Sequence, residues 1–314
     1  MLKQKLTEYA AGLGFARAWV CDLPDYSRWQ ERADELQHPV LGHLTVDVAE
    51  VFAGDCRAVL MVWPYQPYAD APEGATVSAY YPASDAANIA AEQVAQWLTA
   101  QGYRAVNRPN IPYKPLAVQS GHAQYGKNGV TAIPGLGSRY ALQVVLTDAP
   151  LETDAGELNP ASLSDTCAHC GRCVQACPVG ALDGKGNVDI HRCIRAKSDE
   201  YPLQAMYKPL IGRRLYGCDI CQDVCPRNAG ISLQSPPDAL VSALRLEALL
   251  VGNVEALIPF IGKNYARKAR MQAKACVIAA NMGRKDLVPQ IEDCRNSPVD
   301  FVREHAAWAL DQLK

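Results

Sequence analysis

The sequence predicts a mixed α/β multidomain chain in three parts: an N-terminal α/β domain (residues 1–155), a cysteine-rich module (156–232) and a C-terminal α-helical repeat (233–314). Three observations predict it. The first 150 residues alternate helical and extended hydrophobic periods, eight of the twelve cysteines fall between Cys167 and Cys225, and from Asp238 onward the period is helical throughout. A chain of 314 residues has room for two or three cores. With a net charge of −2 and 49% hydrophobic residues it is an ordinary globular protein, so any contact with nucleic acid must be a local patch.

In the first part, Thr7–Leu13 reads as helix, Phe15–Cys21 as strand, Ala58–Trp63 (AVLMVW) as a buried strand, Asn88–Gln101 as helix and Tyr140–Thr147 as strand. The stretch Trp63–Pro82, rich in Pro, Tyr and Asp, reads as a long ordered loop of the kind that often carries function. The N-terminal stretch interleaves Lys3, Lys5 and Glu8 with apolar residues and lacks the unbroken apolar core of a signal peptide. No run approaches the roughly eighteen apolar residues of a membrane span. The expectation is a cytoplasmic, monomeric protein without a membrane segment, whose clustered cysteines serve as metal ligands or redox groups. Neither G-x-G-x-x-G nor G-x-x-x-x-G-K-[ST] occurs at a strand-to-helix turn, which removes the Rossmann and P-loop readings. The glycine-rich stretches Gly121–Gly129 and Gly135–Ser138 supply either turns or close backbone approach to a large cofactor.

The polar, breaker-rich segment from Asp148 to Ser164 links to the second part, where Cys167-x2-Cys170-x2-Cys173-x3-Cys177-Pro178 is the ligand run of bacterial ferredoxins. Three closely spaced thiolates wrap one cubane in such a run, and the fourth cysteine ligates the other. A second set follows as Cys193 and then Cys218-x2-Cys221-x3-Cys225-Pro226. The crossing rule assigns Cys167, Cys170, Cys173 and Cys225 to one [4Fe–4S] cluster, and Cys177, Cys193, Cys218 and Cys221 to the other, in a ferredoxin-like module. Zinc ribbons also pair C-x2-C motifs, but zinc needs only four ligands and no C-x2-C-x2-C-x3-C-P phrase. Cys21, Cys56, Cys276 and Cys294 lie in apolar contexts and read as small buried hydrophobes.

In the third part, LIPFI…ARMQAKACVIAA is answered by LVPQI…VREHAAWALDQ, with Arg270 and Arg303 in equivalent places. Self-similarity at about thirty residues predicts a HEAT-like pair of helical repeats. Lys263, Arg267, Lys268, Arg270 and Lys274 carry five positive charges without an intervening acid. On a helix starting near Tyr265, Arg267, Arg270 and Lys274 share a face, which is either a solvated stripe or a surface for RNA phosphates.

The order AVLMVWPY (58–65), LAVQSGHAQYGKNG (116–129), GSRYALQVVLTD (137–148), CAHCGRCVQACPVGAL (167–182), RCI (192–194) and GRRLYGCDICQDVCPRN (212–228), followed by helical repeats, resembles the cobalamin-dependent epoxyqueuosine reductases and, distantly, reductive dehalogenases. The resemblance implies that residues 1–155 bind cobalamin, that two [4Fe–4S] clusters fed by an external low-potential donor reduce it, and that epoxyqueuosine in the anticodon loop of tRNA becomes queuosine. It implies a corrin lined by Tyr80, Tyr81, Gly126, Lys127, Asn128, Thr131, Ser138 and Leu142. The family's catalytic aspartate, by contrast, falls at Asn107, and an amide has no carboxylic proton to give. Tyr113, His122 and Tyr125 are the alternative proton donors. A related corrinoid reductase with another substrate, or an iron–sulfur protein that only relays electrons, would also accommodate Asn107.

Overall fold

The computed structural model describes residues 1–24, 26, 31, 52, 55–69, 73–160, 162 and 165–314. Two compact units emerge: residues 1–65, 86–126 and 130–169 form one, and 66–85, 127–129 and 170–314 the other. In place of three separate cores, the cysteine module and the helical segment share one. Val179, Ala181, Ile194 and Leu203 from the former pack in a single apolar cluster with Leu249, Met271, Ile278, Ile291 and Val302 from the latter. A module of some sixty residues buries too little surface to stand alone, and the helices supply what it lacks.

The first unit is built on an antiparallel sheet in the order β1-β2-β7-β4. Its strands are β1 (Arg17–Cys21), β2 (Arg57–Pro64), β4 (Ala105–Asn107) and β7 (Tyr140–Thr147). The apolar run of β2 is continuous because both its faces are covered: Val59 and Met61 join one core cluster, Ala58, Leu60 and Val62 another. On the first face lie α1 (Leu2–Gly12) and α2 (Tyr80–Ala100), the latter through Ala87, Ala90, Ala91, Val94, Ala95 and Leu98 at helical spacing. On the second face Leu116, Ala117 and Val118 of α3 (Tyr113–Gln119) pack. A small hairpin of β5 (Gln124–Tyr125) and β6 (Thr131–Ala132) completes this part of the chain.

The strand expected at Phe15–Cys21 is present over Arg17–Cys21 and that at Tyr140–Thr147 over the same residues, but α2 starts at Tyr80, eight residues before the expected Asn88. Pro82 deflects a sequence reading, yet in the first turn of a helix its missing N–H costs no hydrogen bond. The expected loop from Trp63 to Pro82 is further shortened by β3 (Thr76–Val77), and its residues 70–72 lie outside the described ones.

In the second unit β3 pairs in parallel with β8 (Arg214–Tyr216). Short helices α4 (Asp165–Ala168), α5 (Arg172–Ala176), α6 (Ile194–Lys197) and α7 (Ile220–Asp223) punctuate the cysteine segment, α4 falling in the first unit. Then come α8 (Asp238–Ala243), α9 (Leu246–Leu250), α10 (Ile258–Ile261), α11 (Lys268–Asn281), α12 (Val288–Cys294) and α13 (Asp300–Leu313). The two halves of the sequence repeat become the pairs α10/α11 and α12/α13, each opening with a proline in its first turn and closing with a 14-residue helix.

His305 on α13 is fully buried; its Nε2 accepts the Leu203 N–H at 3.2 Å and its Nδ1 meets the Phe301 carbonyl at 2.5 Å. Burial holds its pKa down from 6.5 to about 4, so the folded protein keeps it neutral. Below pH 6.5 the unfolded chain gains a proton that the folded chain refuses until about pH 4. Stability from this site is complete above the upper value and is lost between the two. Urea midpoints should therefore fall across that window, and His305→Gln should make the fall shallower.

Candidate iron–sulfur site

Each ligand run ends in Cys-Pro, and the proline sets the shape. Cys177 closes α5 with ψ 110, and Cys225 leads into a 3-10 turn with ψ 121, both in the extended region imposed on a residue before proline. The chain so turned brings the Ala181 N–H to the Cys177 Sγ at 3.4 Å, a donor aimed at sulfur. Cys193 sits at the N-cap of α6, and Cys218 and Cys221 flank the start of α7. All eight cysteines are half-buried, and none of them is in a disulfide. Burial first, then crowding by Cys218 and Cys193, pushes the Cys221 thiol up to about 12, and burial also raises Cys218. Thiolates gathered this closely repel one another, and a polynuclear iron centre is the donor-matched charge that offsets them.

Two phrases of the sequence acquire physical reasons. Lys127 Nζ donates to the Cys170 carbonyl at 2.9 Å, and Asn128 Nδ2 reaches toward the Cys221 carbonyl at 3.5 Å, so the Gly-Lys-Asn-Gly tip fastens to both ligand segments. Gly217, immediately before Cys218, has φ +85, and a Cβ there would stand 2.6 Å from Ser78 Cβ. Only glycine lets this ligand segment lie against the Ser78–Tyr81 stretch.

Most of the residues expected at a corrin are buried or half-buried. Tyr81, Gly126, Asn128, Thr131 and Ser138 are buried, leaving surface chiefly on Tyr80, with less on Lys127 and Leu142. Thr131 Oγ1 accepts the Tyr140 hydroxyl at 2.9 Å, Lys127 is committed to Cys170, and Leu142 packs against the sheet core.

The candidate proton donors lie in the first unit, and Tyr113 and Tyr125 pack against the same apolar cluster as Trp19. Asn107, at the end of β4, directs its Nδ2 to Asn88 Oδ1 at 3.3 Å and to Glu92 Oε2 at 3.1 Å, while its own Oδ1 is buried without a partner. The following Arg108 holds φ 54, an uncommon conformation for a side-chain-bearing residue. His122 is 8% exposed and its ring stacks on Trp19, 4.3 Å away and 4° from parallel. Burial lowers its pKa from the ordinary histidine value, with Asp154 opposing the fall. Tyr125 is pushed up to about 12 by burial, and the Tyr113 hydroxyl donates to the Pro109 carbonyl at 3.3 Å. Glu92, the carboxylate beside Asn107, escaped the sequence reading; its only signal was the i, i+4 spacing from Asn88 on one helix face.

The basic stripe is also revised. Lys263, Arg267 and Lys268 are exposed, but Arg270 lies over the Tyr201 ring at 5.2 Å and Lys274 is fully buried. Arg267, Arg270 and Lys274 share a helical spacing, yet α11 rolls that spacing inward, where Met271, Ala275 and Ile278 enter the core. No described helix is long and apolar enough to cross a membrane.

Residues 166–228 match the 4Fe-4S double cluster binding domain, so fold and thiols together define a protein of the double-cluster iron–sulfur class. Over nearly its whole length the chain is similar to the epoxyqueuosine reductase of Pseudomonas aeruginosa, 29% identical over 349 aligned positions that cover 98% of this chain and 94% of the relative. It is 33% identical to that of Listeria monocytogenes over 208 residues, 63% of this chain. That match spans only 53% of the Listeria relative's length. A crystal structure of an epoxyqueuosine reductase with a tRNA-Tyr epoxyqueuosine-modified tRNA stem loop superposes with TM-score 0.83 at 22% identity, covering 99% of this chain and 90% of that one, a likeness of fold. Over nearly its whole length the chain is thus similar to named epoxyqueuosine reductases, the Vibrio cholerae relative being 27% identical across 99% of this chain and 92% of its own length.

Proposed function

We propose that this protein is an oxidoreductase that reduces epoxyqueuosine to queuosine in tRNA, drawing its electrons through two [4Fe–4S] clusters held by the eight cysteines. The single observation that carries the reading is the match along almost the full chain to a named epoxyqueuosine reductase, together with a double-cluster domain. One cluster takes Cys167, Cys170, Cys173 and Cys225, the other Cys177, Cys193, Cys218 and Cys221. This chain's part is to hold those thiolates half-buried, to aim the Ala181 N–H at one sulfur, and to anchor the ligand loops through Lys127 and Asn128. An external low-potential one-electron donor supplies the reducing equivalents. The family resemblance implies cobalamin as a further cofactor, which when bound supplies a cobalt centre able to pass the electrons on; the side chains described above assign it no contacts.

Anaerobically reconstituted protein, a chemical one-electron reductant, cobalamin and an epoxyqueuosine-bearing tRNA stem loop test the proposal, with nucleosides read by mass spectrometry after digestion. Queuosine formation is expected; failure with clusters and cobalt both bound would overturn it. Asn107 favours a second reading, a related reductase with a different substrate, because the amide is tied to Asn88 and Glu92 where the family carries an acid. Turnover of another substrate by the fully loaded protein, with none of epoxyqueuosine, is the result that selects it.

The tRNA partner is met in this reading by Lys263, Arg267 and Lys268, the exposed cations near the start of α11. Replacing all three with alanine should reduce the slope of log affinity against log salt for a stem loop by about 2. Fluorescence anisotropy across a salt series measures it. The Arg303→Ala control removes a cation already bonded to Asp300 at 2.6 Å and should leave the slope within about half a unit of the parent.

A further inference from the structure

Lys274 is the one lysine described as fully buried, and its surroundings do not neutralise it. Its Nζ donates to the Leu215 carbonyl at 2.7 Å and rides 3.9 Å above the Tyr216 ring. Among the described residues no carboxylate makes an ion pair with it. Asp199, the acid that faces it, is taken by Arg195 at 2.5 Å. Arg195 and Arg270 face it as well, and the rings of Tyr201, Tyr216 and His305 complete the enclosure. A buried ammonium without a counter-ion is costly, and buried groups perturbed in this way concentrate at functional sites.

The location of Lys274 indicates that charge. Leu215, which accepts its hydrogen bond, lies three residues before Cys218, at most about 11 Å of chain away. Arg195, within the same enclosure, lies two residues after Cys193. Both segments belong to the second cluster in the reading given above, on which this inference rests. A cubane with four thiolates is anionic and becomes more so on reduction, and its potential responds to nearby charge.

We propose that Lys274 is a proton site coupled to the cluster of Cys177, Cys193, Cys218 and Cys221: when that cluster accepts one electron, the neutral Nζ amine takes one proton from solvent and becomes ammonium. The electron comes from the external low-potential donor, no covalent bond other than N–H forms or breaks, and reoxidation returns the proton. Burial drives the Lys274 pKa down to about 7, with Arg195 and Arg270 adding to the fall and Asp199 opposing it, so the amine is within reach of both states near neutrality. One added negative charge at about 12 Å, in a medium of effective dielectric about 20, favours the ammonium about tenfold.

The test is a redox titration of the reconstituted full chain, followed by electron paramagnetic resonance, from pH 6 to 9. One cluster should have a potential that is flat below about pH 7 and then falls by about 59 mV in total, the one-electron equivalent of that tenfold change. Lys274→Met should hold the potential flat at the lower value, and Lys274→Arg, permanently charged, flat at the upper one. Equal pH dependence in wild type and either variant that retains its iron, or none in wild type, would overturn the proposal. If the methionine variant fails to assemble, the arginine variant decides alone. Protein that takes up no iron would instead overturn the cluster reading on which the inference stands.

Discussion

Cys221→Ser is expected to cost the protein one of its two clusters, halving iron from about eight to about four atoms per chain. Cys221 sits in α7 with Cys218 and Cys193 close enough to raise its pKa, so it occupies the crowded heart of the second thiolate set. A serine hydroxyl there stays protonated and offers iron a poor ligand, leaving three thiolates to repel one another without a complete cubane to bind. On the proposed reading, electron supply through the two clusters is then broken. Reductase turnover should drop at least about a hundredfold, as losses around metal centres commonly do. Iron and sulfide assays with the visible spectrum measure the first effect, and nucleoside mass spectrometry the second. Cys276→Ser is the contrasting variant: that thiol is buried in the helical segment beside Cys294, and its loss should leave the iron content at about eight. Unchanged iron in Cys221→Ser would remove this residue from the ligand set.

Gly156→Ala is expected to destabilise the first unit by about 3 kcal/mol, at the upper end of overpacking effects. Here two backbones cross without side chains between them. Gly156 N–H donates to the Ser120 carbonyl at 3.1 Å and Leu158 N–H to the Gly121 carbonyl at 3.0 Å. A Cβ on Gly156 would meet the Gly121 carbonyl carbon at 2.2 Å and the Ser120 oxygen at 2.3 Å, and neither atom belongs to a flexible side chain. Relief requires parting the crossing and losing its hydrogen bonds, which brace the segment leading toward the first ligand cysteine. Denaturant midpoints of the full chain measure the loss. Gly102→Ala is the calibrating variant: its φ is +91 but nothing lies within 4 Å, so only backbone strain, on the order of 1 kcal/mol, should appear. Equal losses in the two variants would show that the crossing adds nothing.

Features written in one short stretch of chain were legible in advance. The period of β2 and β7 announced buried strands, and Cys-x2-Cys-x2-Cys-x3-Cys-Pro announced a cluster ligand run, because a cubane takes its thiolates largely from a single loop. Pro82 was misread for a local reason too: proline breaks helices in their interior but not in their first turn, and the residues alone do not say which turn they occupy. The surroundings of the alternatives to Asn107 were not legible, because Trp19, the ring that stacks on His122, lies about a hundred residues away in the chain.

The resemblance and the iron–sulfur chemistry it implies were thus carried by the sequence itself, above all by eight cysteines whose spacing has few other physical uses. Tertiary structure alone decided which of the polar residues face solvent. Lys274 shows why: its helical spacing with Arg267 and Arg270 is a property of α11, but the direction in which that face points is set by α13 and the β8 segment packed against it. A sequence records the period of a helix, and only the packed core fixes its rotation.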